Sequence, residues 1–209
     1  MSTDTISPEE RRLALLGVSY VYAALARGFT YPDAEPPTDF SSGLNEIDGA
    51  LGDALRRMAE SARAAGPERL KAAYMRIFDP RRPPLAMEAE CLGLQGTQRS
   101  MLLADVMGFY NAFGVTPSNE RPDHIACELD FMNLLGVKEA AAIEANNEEN
   151  AQICADARGK FLESHLLQWR EPLAAMIRNR ADCGEDDFYL ALADALEAVL
   201  LEEENPTNE

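Results

Sequence analysis

Apolar residues recur along most of this chain at helical spacing, and the breaks between the runs fall at glycine and proline. Ser7-Pro8-Glu9-Glu10 has the makings of a helix start. Ser7 can cap, Pro8 suits the first helical position, and Glu10 is placed to close a capping box. The helix is expected to run to about Arg27, where Gly28 and Pro32 stop it. Leu13, Leu16, Tyr20 and Ala24 mark one face, and Leu15, Val18, Tyr22 and Leu25 another. Apolar residues on two faces predict a central, largely buried helix.

A second helix has a clean stripe of Leu44, Ile47, Leu51, Leu55, Met58 and Ala62. Gly66-Pro67 ends it and starts another, with Leu70, Tyr74, Ile77 and Phe78. Residues 79–96 hold Pro80, Pro83, Pro84, Gly93 and Gly96, so they predict a long loop with one short helical turn. Thr97 can cap the next helix, which carries Leu103, Val106, Met107, Tyr110 and Phe113 and stops at Gly114. Pro122-Asp123 is expected to open a helix with Ile125, Leu129 and Met132 inward, reaching about Ala145 with Gly136 as a weak point. From Glu148 to Trp169 the pattern uses Ile153, Ala157, Phe161, His165 and Trp169; Pro172 interrupts it, and Leu173, Met176 and Ile177 continue. Phe188, Leu192, Ala195, Leu196 and Val199 mark the last helix. Nothing alternates with the two-residue period of a strand. The expected fold is therefore all-α, a single-domain bundle of about seven or more helices over residues 1–209. The ends near 1–6 and 202–209 are expected to fray.

Composition changes the picture in one respect. The hydrophobic share, 46%, is ordinary for a globular chain, but the net charge is −17. Such a field repels nucleic acid and anionic membrane and favours a cationic partner or plain solubility. No Lys or Arg follows Arg180. Cys91, Cys127, Cys154 and Cys183 are widely spaced and form no C-x-x-C pair, which predicts reduced thiols in a cytoplasmic protein. The N-terminus lacks the basic start and apolar core of a signal peptide, and no segment is apolar enough to insert into a membrane.

Chemistry is sparsely marked. Glycine-rich phosphate motifs and a nucleophile elbow are absent. The two histidines, His124 and His165, lack the Glu-x-x-His spacing of a di-iron site, so neither a metal nor a cofactor is expected. The densest polar cluster is Asn119-Glu120-Arg121-Pro122-Asp123-His124, running into Glu128. Asp123 near a helix N-terminus complements the dipole. Glu120 and Glu128 have no obvious basic partner but Arg121, which leaves room for a cationic ligand. His165 and Trp169 share a helix face and read as core or groove lining rather than chemistry; with Tyr20 and Tyr74 they are the candidates for lining a peptide groove. A general helical adaptor and a carboxylate/His metalloenzyme built on Asp123, His124 and Glu128 stay open on the residues alone.

Glu120-Arg121-Pro122-Asp123-His124-Ile125, followed by Glu128-Leu129 and Phe131-Met132, resembles the E-x-P-D-H-I-x-x-E-L-x-F-M signature of the TorD/DmsD/NarJ family. Tyr74-Met75-Arg76-Ile77-Phe78 is similar to that family's Y-x-R-L-F segment. Phe161-Leu162 with His165-Leu166 and Trp169 is similar to its F-L-x-x-H-L-x-x-W segment. The resemblance spans about residues 13–177 and is closest to the chaperones serving type II enzymes of the dimethyl sulfoxide reductase family. It implies a cytoplasmic maturation chaperone without catalysis of its own. Such a protein binds the basic, often twin-arginine, N-terminal region of a molybdopterin-containing oxidoreductase catalytic subunit until cofactor insertion. Carried onto this chain, it nominates Asp123 and His124, with Glu120, Pro122 and Glu128 around them, as signal-peptide or client-binding residues. Long helical hairpins with a proline-bearing hinge leave both a monomer and a domain-swapped dimer open.

Overall fold

Ser7 begins the first helix as its sequence predicts: its side chain accepts from the Glu10 amide at 3.2 Å, and the Glu10 carboxylate accepts from the Ser7 amide at 2.8 Å. The coordinates are a computed structural model that describes residues 7–33, 47, 49–117 and 120–204. Leu44, Asn119 and the outermost parts of both expected frayed ends lie outside the described residues.

Helix α1 (Pro8–Gly28) lies along α5 (Ile125–Glu144), the most extensive helix pairing among the described residues. Gly136 is the point of closest approach, not a weak point. A Cβ there would stand 2.1 Å from Ser19 Oγ, so only glycine lets the helices meet. The buried Ser19 hydroxyl donates to the Leu15 carbonyl at 2.6 Å, and so carries no unsatisfied donor into the contact.

Helix α2 (Gly49–Ile77) is bent at Gly66, whose φ of 70° suits a residue without Cβ, and Pro67 starts the second limb. It packs against α8 (Asp187–Glu204), which also touches α1 and α7 (Leu167–Arg180). Trp169, Tyr22, Tyr110, Tyr189, Phe29 and Phe161 are fully buried in the core. Each such side chain contributes roughly 1.5–3 kcal/mol of apolar burial. Among the described residues no strand forms, and the only extended pairing is an isolated bridge between Met87 and His124. The chain is an all-α bundle.

Several boundaries differ from expectation. The single turn α3 (Glu88–Cys91) is the short helix expected in the 79–96 loop. Helix α4 (Gly96–Ala112) starts after Gln95 with no side-chain cap, so Thr97 lies inside it. Gly114, with φ 71°, follows it as predicted. The run expected from Glu148 to Trp169 is divided instead: α6 (Glu148–Phe161), a π-helical stretch over Leu162–Leu166, then α7, which passes through Pro172. The break in the run thus falls at the π stretch, and the helix continues through the proline. Residues 202–204, expected to fray, are helical. Arg158 pairs with Glu203, and Arg170 reaches Glu204 at 2.6 Å.

Candidate functional site

The signature segment forms a tight turn clamped on three sides. Helix α5 begins at Ile125, not at Pro122, because His124 is its cap: Nδ1 accepts from the Ala126 amide at 3.2 Å. Burial, and then the Arg121 charge, push the His124 imidazole down to about 4, which keeps it neutral and able to accept. The 79–95 loop crosses beneath the turn. The Glu88 amide donates to the Asp123 carbonyl at 2.8 Å, and the Ile125 amide to the Ala86 carbonyl at 3.0 Å. From α4, the Tyr110 hydroxyl donates to the Pro122 carbonyl at 2.9 Å.

Asp123 is completely buried. One carboxylate oxygen accepts from Arg121 at 2.9 Å and from the Ala89 amide at 3.3 Å; the other has no hydrogen-bond partner among the described residues. Arg121 also reaches Glu90 at 2.9 Å. The turn thus supplies its own arginine to Asp123, and the surface does not offer this carboxylate to an incoming one.

Glu128 is buried as completely. Trp169 Nε1 donates to one of its oxygens at 3.1 Å, and in the protonated form the carboxyl can donate to neighbouring Glu88. Burial foremost, then the neighbouring Glu88 charge, push the Glu128 carboxyl well above the usual carboxylate range. Glu88, on α3, is 1% exposed and contacts His165 Nδ1 at 2.9 and 3.2 Å. Of the two readings open for His165 and Trp169, core or groove lining, their burial fits the first: they are 2% and 0% exposed. Among the described residues no group of three or more His, Cys, Asp or Glu could hold a metal ion.

Of the expected site residues, Glu120 faces out. It lines an open pocket of about 420 Å³ with Asp130, Cys127, Tyr110, Phe131 and Leu134, closed at its edges by Val115, Thr116, Pro117 and Thr30. Arg121 is turned onto Glu90 and Asp123, so Glu120 forms no ion pair among the described residues. Burial raises the Asp130 carboxyl, and burial followed by Asp130 and Glu120 pushes the Cys127 thiol up to about 12. Tyr74 stands close enough to feel the Glu120 charge, which adds to the burial that pushes its phenol up to about 12. Its ring meets the exposed Tyr31 edge-on at 5.4 Å. Tyr20 is 45% exposed on α1 and does not line this pocket.

Sequence reasoning missed Glu88 and Asp130. Glu88 sits in a loop with no periodicity to mark which side chains turn inward. Asp130 is the outward residue between Leu129 and Phe131, and helical spacing does place it beside Cys127 and Leu134.

The buried acids Asp123 and Glu128 are thus held by side chains of this chain, and the open pocket pairs carboxylates with aromatic and aliphatic walls. A family model described as the nitrate reductase delta subunit matches residues 44–175. The perchlorate reductase assembly chaperone protein of Dechloromonas aromatica (strain RCB) is 32% identical over 197 residues, covering 87% of this chain and 86% of that protein. The chlorate reductase assembly chaperone protein of Ideonella dechloratans is 30% identical over 155 residues, covering 71% and 70%. The chain belongs to the nitrate reductase delta subunit family of NarJ/TorD-type chaperones. The family and these relatives are assembly chaperones, not catalysts.

Proposed function

We propose that this chain is a maturation chaperone for a molybdopterin-containing reductase, and that it holds the basic N-terminal region of the catalytic subunit until the cofactor is inserted. The carrying observation is the pocket beside the signature turn, where Glu120 and Asp130 stand next to Phe131, Leu134, Val115 and Pro117. A peptide that is basic and then apolar, as a twin-arginine leader is, matches both halves of that lining. Arginine–carboxylate contacts are charge-assisted and directional, and the apolar walls bury the neighbouring side chains. Glu120 and Asp130 meet the cationic residues. Asp123, His124, Pro122 and Glu128 shape the turn that presents them. This division of labour moves Asp123 and Glu128 from contact to support, because both are buried behind the turn. The strong negative charge steers a basic peptide toward the molecule from a distance. No helix among the described residues is long and apolar enough to cross a membrane. We place the work in the cytoplasm, ahead of any export step.

The test is a titration of a fluorescein-labelled peptide carrying two adjacent arginines and an apolar stretch, followed by anisotropy. Glu120→Gln with Asp130→Asn is expected to weaken binding by about 10-fold or more, in line with the worth of hydrogen bonds to charged groups. Salt should weaken the wild type more than the double variant. Unchanged affinity in the double variant would remove the pocket from the reading.

A further inference from the structure

The buried pair Glu88–His165 is remote from solvent, and side chains of α4, α5 and α6 stand around it. Glu88 is on α3 and His165 on the π stretch between α6 and α7. The contact from His165 Nδ1 to Glu88 is 2.9 Å, with both side chains under 4% exposed. His165 Nε2 lies 3.3 Å from the exposed Asp105 carboxylate of α4, without hydrogen-bond geometry. The Glu128 carboxyl of α5 stands near enough to Glu88 to feel its charge. A buried hydrogen-bonded polar pair of this kind gives little net stability compared with apolar residues, so stability alone does not account for it.

The reason lies in what the pair holds. Along the backbone, Glu88 and Ala89 donate to Asp123, fixing the turn from below. On the other side, the His165 ring stands 4.8 Å from Phe161 and 5.8 Å from Phe109. Phe161 in turn stands 4.9 Å from Phe131, and Phe131 is 4.8 Å from Tyr110. Phe131 and Tyr110 are walls of the pocket. One hydrogen-bonded pair therefore ties the turn at one edge of the pocket to the aromatic wall at the other. The π stretch brings His165 to this place; such local widening recurs where a helix must aim a side chain.

We infer that Glu88 and His165 are positioning residues for the client pocket: the pair acts through the signature turn and the Phe161–Phe131–Tyr110 stack, and touches no partner. The inference rests on the reading of that pocket as the client site. The test compares Glu88→Ala, which removes the bond, with Glu88→Gln, which still offers an oxygen to Nδ1. His165→Phe removes the bond from the other side and keeps a ring between Phe161 and Phe109. If Glu88→Ala does not fold, His165→Phe carries the comparison. Leu196→Ala, a core truncation on α8 that lines no part of the pocket, is the control for lost stability alone.

The labelled two-arginine peptide is titrated at a temperature where every variant keeps wild-type helicity. Native-state iodoacetamide labelling of Cys127, located by peptide mass mapping, reads the pocket wall without any ligand. Glu88→Ala and His165→Phe are expected to weaken peptide binding about 10-fold and to speed Cys127 labelling, as a mis-set supporting shell does. Glu88→Gln should stay within about 3-fold of wild type, and Leu196→Ala should bind as wild type. Unchanged affinity in the bond-removing variants, or a Gln variant that falls as far as Ala, overturns the inference. If the wild type does not bind the peptide at all, the client reading fails on its own. The strut then stands or falls on Cys127: faster labelling in Glu88→Ala and His165→Phe supports it, and an unchanged rate overturns it.

Discussion

His124 gives the sharpest quantitative test of the signature turn. Its ring nitrogen caps α5 only while it is unprotonated, and the folded protein holds its pKa near 4 against an ordinary 6.5. The unfolded chain therefore takes up a proton as pH falls through 6.5, while the folded chain refuses it until about 4. The stability from this group is fully present above 6.5 and is lost progressively as pH falls toward 4. Between about pH 7 and about pH 5 the linkage amounts to about 2 kcal/mol. Glu128 acts in the opposite sense. Its raised folded pKa means that its contribution grows as pH falls, so the wild type alone would show a blunted trend. The informative quantity is the difference between the wild type and His124→Asn, in which an amide oxygen can still cap the helix but nothing titrates. Urea unfolding followed by far-UV circular dichroism at both pH values supplies it. The gap between the two proteins should shift by about 2 kcal/mol against the wild type on acidification. A constant gap would mean that His124 does not cap as a neutral imidazole, and the account of the turn would fall with it.

Two further substitutions probe the supports behind the site. Gly136→Ala would drive a methyl onto Ser19 and should cost about 1–3 kcal/mol, read as a lowered Tm; adding Ser19→Ala should recover much of the loss, and no recovery would place the strain elsewhere. Trp169→Phe leaves the buried Glu128 carboxyl without its donor and should destabilise by about 1–3 kcal/mol in denaturant titration. Glu128→Gln should be milder than Trp169→Phe, because the raised pKa already favours the neutral form; a larger loss for Gln would show that the ionised form is the native one.

The helices were legible wherever periodicity and caps coincide, as at Ser7-Pro8-Glu9-Glu10 and at Gly66-Pro67. Less legible were changes of register inside a helix. The π stretch at Leu162–Leu166 has no sequence mark comparable to Pro172, and so the proline drew the break that the π stretch makes. The signature was legible as a cluster but not as a set of directions. Spacing shows that Asp123, His124 and Glu128 lie close together; it does not show that the 79–95 loop passes beneath and buries them, since that closure depends on main-chain bonds from Glu88 and Ile125.

A motif rich in acids on an acidic protein invites the view that its carboxylates wait for a basic partner. Here the burial of each one decides its role. A carboxylate with no exposure, held by Arg121 or Trp169, is already answered inside the chain, and bringing a second cation to it would require opening the turn. Glu120 and Asp130 remain accessible in the pocket, with the turn's own arginine directed away from Glu120. Under the proposed function, the internal residues of the motif set shape, and the residues that face outward beside it set charge. A family resemblance carried by the first group can persist across chaperones that differ in the second, and client preference is then to be sought by exchanging residues such as Asp130 among relatives while leaving Asp123 and His124 in place.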